Sequence, residues 1–398
     1  MRISRTLALI VSCSTLLGAV KSAAAKGDEL VVGFATAQSG WMEAYDEPAK
    51  RAALINIEEI NSKGGLLGKK IRVIEVDTKT DRAQSAKAGL QVIDQGADLV
   101  VVSCDYDFGA PAALAAEKAG KVSFFLCAED VKAGIQGVGK HSFSSSVLAA
   151  VQGATMAEWA NAKRNVRTAY VLLDTTIEYD KGICNGFDWM FKQVKGAAIV
   201  GRDTFKNGDA SIASQITRIK SLGKEPDAIM LCSYVPGGAS AVRQLRAAGI
   251  NSLILNGSAM DGNYWLGAVP NLSGFVVPVQ GSIYGDDPNL KVEEFNKKFH
   301  AKFGARPSSQ YTYPGYILID MWAKAVKRAN TVDATAVVAE LEKMRNEPTI
   351  FGTRTFTNEL HHQNQARMLI SEIKGGKPGI VDSWTISKPV DLDFLLKK

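Results

Sequence analysis

The sequence contains few of the residues on which metal centres and redox sites depend. It has only 4 His and 5 Cys among 398 residues, and no two cysteines show the Cys-x-x-Cys spacing of a zinc ribbon or a redox motif. Its longest apolar run, 7–20, is shorter than the ~20 residues that cross a bilayer and is interrupted by polar side chains at 12–15. A zinc ribbon, a Cys-x-x-Cys redox site and a membrane-spanning helix are therefore unsupported.

Recognisable catalytic motifs are missing as well. Residues 64–69 read Gly-x-x-x-Gly-Lys, one residue short of a P-loop and without its Ser or Thr, and no Gly-x-Ser-x-Gly elbow occurs. His361 and His362 are adjacent in a polar segment, which is more typical of an exposed turn than of a metal site because no second pair of ligands has suitable spacing. We predict no metal, no cofactor and no catalysis, and a secreted α/β hydrolase is the less favoured alternative.

The first 25 residues have the layout of a secretory signal peptide. A basic start with Arg2 and Arg5 is followed by the apolar run 7–20 and then by Ser-Ala-Ala-Ala before Lys26. We predict that residues 1–25 are removed and that the mature chain works in the periplasm. Removal of Arg2, Arg5 and Lys21 would lower the formal charge of +6 to +3, which is too mild and too evenly spread to indicate a nucleic-acid partner.

Export gives the remaining cysteines a possible role in disulfides. The mature chain would hold Cys104, Cys127, Cys184 and Cys232, which allow three pairings. Cys104 and Cys127 each end an apolar run, and the ends of neighbouring parallel strands lie ~4.8 Å apart, within reach of a disulfide. We predict a Cys104–Cys127 bridge; Cys184 and Cys232 could pair in the same way in the other half of the chain.

Short β-branched runs alternate with longer amphipathic segments from residue 30 onward. One series covers 30–126, with a helix predicted at 110–119, and a second covers 147–255, with a helix predicted at 179–195. Runs such as 100–102 and 229–231 are apolar without alternation. This pattern predicts parallel strands buried on both faces by helices. The fold class is therefore α/β, with two doubly wound parallel-sheet lobes.

The part of the chain after residue 276 is too short to form a third core comfortably. Its pattern predicts helices at 292–303, 311–329 and 334–344, followed by a hairpin-like pair at 367–373 and 380–386. We assign these pieces to the two lobes.

Three short segments carry a resemblance to a known family. They read Gly-Phe-Ala-Thr-Ala-Gln-Ser-Gly at 33–40, Asn-Ser-Lys-Gly-Gly-Leu-Leu-Gly at 61–68 and Arg-Gln-Leu-Arg-Ala-Ala-Gly at 243–249. In this order and spacing the chain resembles the type I periplasmic solute-binding proteins, and more closely their branched-chain amino-acid (Leu/Ile/Val) binding branch, which serves ABC importers. The likeness continues through 310–316 to the end of the chain near 372–384.

The resemblance implies an architecture and a set of partners. It implies lobes joined by three hinge crossovers near Val147, Val277 and Phe351, with a ligand in the cleft and no catalysis. The lobes would comprise 26–147 plus 278–351, and 148–277 plus 352–398. The implied partners are a small-molecule ligand, an ABC permease and its ATPase subunits, with membrane contact only through the permease. A ligand-sensing subunit that signals through a partner would use the same cleft and stays an alternative.

Candidate cleft residues stand where predicted strands end, because ligands of open α/β sheets bind beyond the carboxyl ends of the strands. They are Ser39, Trp41, Asp105, Tyr106, Ala128, Glu129, Tyr179, Asp180, Tyr234, Asp261 and Tyr284. A single Asp at such a position is often a helix cap, which is the favoured interpretation for Asp107 and Asp261.

The segments after the third and fourth predicted strands depart from the family. Amino-acid binders of the family hold the ligand carboxylate there with Ser and Thr hydroxyls and backbone N–H groups. This chain instead has Asp105 and Glu129, which would repel a carboxylate in a dry cleft and favour an ammonium, amidine or amide N–H donor. We predict a small nitrogen-bearing polar ligand with an apolar or aromatic part, shielded by Trp41 and Tyr179.

Overall fold

The structure, a computed structural model, describes residues 27–396. The predicted leader 1–25 and the predicted first mature residue, Lys26, lie outside the described residues. Within 27–396, no helix combines the length and the apolar character needed to cross a membrane.

The first sheet consists of five parallel strands. They are β1 (Glu29–Thr36), β2 (Lys70–Asp77), β3 (Leu99–Val102), β4 (Val122–Phe125) and β5 (Ser142–Ser144). The helices between them are α1 (Glu43–Ser62), α2 (Arg82–Asp94) and α3 (Tyr106–Lys118). The strand order is β2-β1-β3-β4-β5. We call the part of the molecule built on this sheet the first lobe.

The central strands of this sheet are buried on both faces. Val101 and Phe124 belong to an apolar cluster that includes Ala49 of α1, whereas Val100 belongs to a separate cluster with Val92 of α2. Helices therefore cover both sides of the sheet, which explains why the sequence of β3 is apolar without alternation.

The second series of elements builds a second sheet. Its strands are β6 (Thr168–Asp174), β7 (Ala198–Phe205), β8 (Ala228–Cys232), β9 (Leu253–Leu255) and β10 (Phe275–Val279). Its helices are α4 (Ala149–Arg164), α5 (Glu178–Phe191), α6 (Ala213–Lys220) and α7 (Gly237–Ala247). The pairs within this series are parallel. We call this part of the molecule the second lobe.

The remaining elements are divided between the two lobes. They are α8 (Leu290–Phe303), α9 (Thr312–Ala329), α10 (Ala334–Leu341), β11 (Glu347–Thr349), β12 (Gly352–Arg354), β13 (Arg367–Lys374), β14 (Lys377–Thr385) and α11 (Leu392–Leu396). Helix α9 packs on α1 in the first lobe. Strands β13 and β14 form an antiparallel hairpin at the edge of the second sheet, whose order is β14-β13-β10-β9-β8-β6-β7.

The chain thus passes between the lobes three times: after β5, after β10 and between β12 and β13. This confirms the predicted fold class, two parallel-sheet α/β lobes joined by three crossovers. The hairpin and the three late helices were also predicted, with ends that differ by a few residues. The exact residue ranges of the two lobes remain a prediction.

Two disulfides join parts of the chain that are distant in sequence. Val102 of β3 pairs with Phe125 of β4, so Cys104 and Cys127 each lie two residues beyond a paired position, and a disulfide joins them with a Cα–Cα distance of 4.4 Å. A second disulfide joins Cys184 to Cys232. Cys184 lies inside α5 and Cys232 ends β8, so this bridge links a helix to a strand.

Candidate functional site

A narrow cavity lies between the two lobes, beyond the carboxyl ends of strands from both sheets. The space free of atoms, including the part that opens to solvent, is about 350 Å³. Its lining residues are Trp41, Met42, Tyr45, Cys104, Asp105, Cys127, Glu129, Ile177, Tyr179, Tyr234, Ala259 and Tyr311. Open α/β sheets bind their ligands in this position.

Aromatic rings from both lobes form one wall of the cavity. Trp41, in the turn before α1, lies 4.9 Å from the ring centroid of Tyr234, which follows β8 in the second lobe. Tyr45, on the first turn of α1, is 6.2 Å from Trp41 with the rings nearly perpendicular. These distances are typical of attractive aromatic contacts, so the wall connects the lobes through ring packing.

Two buried carboxyl groups lie at or beside the cavity without enough hydrogen-bond donors. Oδ1 of Asp105 and both side-chain oxygens of Asp180 have no hydrogen-bond partner within the described part of the chain. Burial raises the pKa of Asp105 well above its usual range, and the charges of Asp107 and Asp130 raise it further. Burial likewise raises the pKa of Asp180, with Asp174 and Asp105 adding to the effect. The site therefore contains hydrogen-bond acceptors that the protein itself leaves free.

Glu129 is equally buried but is hydrogen-bonded. Its carboxylate accepts from the hydroxyl of Tyr311 at 2.9 Å and from that of Ser258 at 3.0 Å. Burial raises the pKa of Glu129 to about 8, although hydrogen bonds from Gln152, Tyr311 and Ser258 oppose the shift. Because Ser258 belongs to the second lobe, Glu129 links the two lobes.

Further hydrogen bonds cross the cleft. The hydroxyl of Tyr45 donates to the carbonyl of Ala259 at 3.2 Å and accepts from the N–H of Val235 at 3.4 Å. The carboxylate of Asp107 accepts from the N–H of Glu178, the first residue of α5, at 2.9 Å. The two lobes are therefore in contact around the cavity, in a closed arrangement.

Five of the eleven residues predicted from the sequence line the cavity. They are Trp41, Asp105, Glu129, Tyr179 and Tyr234. The structure brings them together from five different strand ends, as the sheet-edge argument requires. That they contact a ligand remains a proposal.

Three predicted residues of the first lobe lie away from the cavity lining. The hydroxyl of Ser39 donates to Asp77 at 2.7 Å. Tyr106 is already in the first turn of α3, which begins four residues before its predicted start, and its ring lies 5.9 Å from the Lys132 ammonium. Ala128 is buried in the apolar cluster on the opposite face of the sheet.

The other three predicted residues also lie outside the lining. Asp180 is buried beside it. Asp261 accepts from the hydroxyl of Ser309 at 2.8 Å and from the N–H of Gln310 at 2.6 Å, and the Tyr284 hydroxyl donates to the Asp261 carbonyl at 2.6 Å. These bonds tie the turn after β9 to the segment before α9.

The helix-cap interpretation was wrong for Asp261, and for Asp107 it holds only at the N-terminus of a different helix, α5. Asp105, not Asp107, takes the N-cap position of α3, and Asp107 instead contacts the first residue of α5 across the cleft. Asp261 follows a single turn of 3₁₀ helix, Ser258–Met260, and its carboxylate binds the segment before α9. Both side chains join separate segments of the chain.

Residues that sequence reasoning missed are Met42, Tyr45, Ile177, Ala259 and Tyr311. Tyr45 lies on the first turn of a helix, and Tyr311 immediately precedes another helix of the same lobe. The sequences around these two tyrosines carry no strand-end signal. Tyr311 could have been found only by asking which later segments return to the first lobe.

The expectation that His361 and His362 lie in an exposed turn was also wrong. Both are buried: the His361 ring stacks on Phe143 with centroids 3.7 Å apart, and its Nδ1 is 2.8 Å from the Ser142 carbonyl. Burial lowers the pKa of His362 to about 3, so this ring is neutral at physiological pH. Within residues 27–396, no group of three or more potential side-chain ligands is arranged to hold a metal ion.

A two-lobed α/β chain with a cavity between its sheets, lined by residues of both lobes, has the architecture of a solute-binding protein. A family model described as "Periplasmic binding protein" matches residues 29–377. The chain belongs to this family, which makes it a binding protein and not an enzyme.

Relatives from several bacteria align over most of their length. The chain is 23% identical to the Leu/Ile/Val-binding protein BraC3 of Rhizobium johnstonii, over 88% of this chain and 94% of the relative. It is 22% identical to Leu/Ile/Val-binding protein homolog 3 of Brucella melitensis, over 87% and 92% of the two chains.

Solved structures share the fold. The substrate-binding protein LivJ of Streptococcus pneumoniae, solved with isoleucine, superposes with a TM-score of 0.77 at 24% identity, covering 89% of this chain and 99% of the other. A solute-binding protein of Rhodopseudomonas palustris, solved with 3,4-dihydroxybenzoic acid, gives a TM-score of 0.75 at 18% identity, covering 91% and 99%. The neighbours thus bind chemically different ligands on one scaffold.

Proposed function

We propose that this protein is the extracytoplasmic solute-binding component of an ABC importer, exported to the periplasm by its leader 1–25. Family membership supports the binding role. The likeness to transporter substrate-binding proteins over nearly their full length supports the association with an importer. An ABC permease and its ATPase subunits would then be the partners that receive the ligand.

The observation that carries this proposal is a cavity enclosed by side chains of both lobes. Glu129 of the first lobe and Ser258 of the second lobe are hydrogen-bonded across it, and Trp41 packs on Tyr234. A ligand held there contacts both lobes only when they are closed, so its binding energy favours the closed state. Capture and release then need hinge motion and no chemical step.

The ligand we propose is a small polar molecule, either an amino acid or a related amide or amine, with an apolar or aromatic part. Asp105 supplies a free acceptor for a nitrogen-bound hydrogen, and Trp41, Tyr179 and Tyr234 supply apolar surface. Delivery to a transporter requires release, so we expect an affinity of about micromolar, equivalent to ~8 kcal/mol.

Mass spectrometry of the solute that co-purifies with the periplasmic protein tests this function. Calorimetry should then show binding of that solute, and small-angle X-ray scattering should show that the protein becomes more compact. The solute should be recovered unchanged. Chemical conversion of the solute, or no compaction with any amino acid, amide or amine, would contradict the proposed function.

A further inference from the structure

The cavity offers no cationic side chain to an anionic ligand. None of its lining residues is Lys, Arg or His. In the first lobe, the N–H groups of Ala37 and Cys104, at the ends of β1 and β3, both donate to the carboxylate of Asp46, at 2.6 and 2.7 Å. The donors at these two strand ends are therefore already occupied by a carboxylate of the protein itself.

Two backbone donors of the second lobe beside the cavity are also occupied. The N–H of Ala259 donates to the hydroxyl of Tyr179 at 3.0 Å. The N–H of Ser258 donates to the side-chain oxygen of Gln152 at 2.9 Å. Since these groups face protein acceptors, a ligand carboxylate would have to displace an existing bond to be held there.

Acceptors and aromatic faces, in contrast, are in excess. Asp105 lines the cavity with its Oδ1 unpartnered, and the unpartnered carboxyl group of Asp180 is buried beside it. Buried carboxyl groups without donors are unfavourable unless a ligand supplies the donor or the charge. The rings of Trp41, Tyr45 and Tyr234 stand around the same space, and aromatic faces attract cations.

We propose that the ligand of this cleft is an organic cation that lacks a carboxylate, such as a primary amine. Its ammonium group binds Asp105 between the rings of Trp41, Tyr45 and Tyr234. This inference rests on the proposed solute-binding function and narrows it, because a zwitterionic amino acid also needs partners for its carboxylate, whereas the lining has no cationic side chain and four backbone N–H groups beside it are already bonded.

Calorimetry with two sets of four compounds tests the inference, and the members of a set share one hydrocarbon group. The probes are 3-methylbutylamine, leucine, 4-methylpentanoate and 3-methylbutan-1-ol, and the matched aromatic set is 2-phenylethylamine, phenylalanine, 3-phenylpropanoate and 2-phenylethanol. We expect the amine of a set to bind at least about tenfold more tightly than its amino acid and its alcohol, and the carboxylate not to bind.

Two variants locate the ammonium group. Asp105→Asn should weaken amine binding at least about 30-fold, because it removes the charged partner of a buried pair. The matched control is Asp81→Asn, at the N-cap of α2 and outside the cavity lining, where Asn caps equally well. Trp41→Leu should reduce the preference for amine over alcohol about 3- to 30-fold.

Each outcome of these measurements either supports or overturns the inference. Tighter binding of leucine, or measurable binding of either carboxylate, overturns this inference and leaves the solute-binding function intact. If none of the eight compounds binds at millimolar concentration, the inference and the nitrogen-bearing ligand fall together. If Asp105→Asn does not fold, the test of the ammonium position is the selectivity of Trp41→Leu. An unchanged preference of that variant for amine over alcohol overturns the assignment of the ammonium position.

Discussion

Two carboxyl groups in the same cavity have different roles because their hydrogen-bond partners differ. Glu129 accepts from the hydroxyls of Ser258 and Tyr311, whereas Oδ1 of Asp105 has no partner. A buried acid with hydroxyl donors is already satisfied, while a carboxyl oxygen without a donor is available to a ligand. Glu129 therefore contributes to lobe closure, and Asp105 is the better candidate for ligand recognition.

Glu129→Gln should change how stability depends on pH. Burial raises the pKa of Glu129 to about 8, whereas the unfolded chain releases this proton near pH ~4.3. Between these values the folded state binds more protons, so the free energy of unfolding falls as pH rises, by up to ~1.4 kcal/mol per pH unit. In the variant this fall should be shallower.

Urea unfolding of both proteins in steps from about pH 5 to 8 measures this effect. The comparison with wild type is essential because Asp261 and Asp46, whose pKa values burial raises to about 7 and about 6, contribute a decline of the same sign. Parallel curves for wild type and Glu129→Gln would contradict the raised pKa of Glu129.

Single residues of the cleft were predictable where they directly follow a strand. Trp41, Glu129 and Tyr234 have this position, and the hydrophobic pattern alone placed their strands. Tyr45 and Tyr311 could not be predicted, since each stands at a helix start and reaches the cavity only through the packing of that helix. The burial of His361 could not be predicted either, because a polar sequence pattern does not show which segments will pack under a crossover between the lobes.

Close contacts between helices depend on glycines whose neighbours leave no space for a side chain. A Cβ on Gly186 of α5 would lie 1.9 Å from the carbonyl oxygen of Ala150 of α4, and one on Gly153 of α4 would lie 2.0 Å from that of Ile183. The two helices therefore touch through their backbones. This contact fixes the position of α5, which carries Tyr179.

Gly186→Ala should destabilise the protein despite the better helix propensity of Ala. Propensity favours the substitution by ~1 kcal/mol, but the methyl group forces α4 and α5 apart, and overpacking of this kind typically costs ~1–3 kcal/mol. Because the atoms that the methyl group would meet belong to the backbone, we expect the upper half of that range, ~2–3 kcal/mol, and hence a net loss of about 1–2 kcal/mol in urea unfolding. Gly208→Ala is the control, because a Cβ there meets nothing within 4 Å and should change stability by less than ~0.5 kcal/mol. Equal effects of the two variants would contradict the close packing.

The two disulfides should be separable by their effects on binding. Replacing Cys104 and Cys127 with Ala, or Cys184 and Cys232 with Ala, should lower stability by ~3–4 kcal/mol in the chain-entropy account. Only the first pair lines the cavity, so only its loss should also weaken ligand binding. Thermal unfolding and calorimetry measure the two effects. Equal masses after alkylation with and without reductant would show that wild type has no disulfides.

The order of strands and helices was largely predictable, because alternating apolar patterns determine both parallel sheets and their coverage by helices. The Cys184–Cys232 pairing was only a possibility at the level of sequence, because a helix-to-strand contact depends on how α5 packs on the sheet. The start of α3 was placed too late, at residue 110, because Asp105 and Tyr106 have the composition of a loop. That error hid the N-cap position of Asp105.

Opening and closing of the two lobes should depend on bonds that exist only in the closed state. The N-terminus of α5 presents the N–H of Glu178 and a positive dipole end to Asp107 of the first lobe. Asp107 also binds Arg82, at 2.9 Å, within its own lobe. Loss of the contact with α5 should therefore favour the open form, whereas loss of Arg82 should not.

Asp107→Ala should weaken ligand binding without touching the ligand. A carboxylate that accepts from a helix N-terminus contributes ~1 kcal/mol. Apparent affinity scales with the population of the binding-competent state, which here is the closed form. The closed fraction and the apparent affinity should therefore fall about fivefold. The change should appear as faster dissociation in stopped-flow measurements with the co-purified solute. Arg82→Ala should alter the affinity less than about twofold, since its contact lies within one lobe. Equal weakening of ligand binding by both variants would show that the cause is local stability and not lobe closure. In that case, scattering of the solute-free proteins would show no difference in compactness.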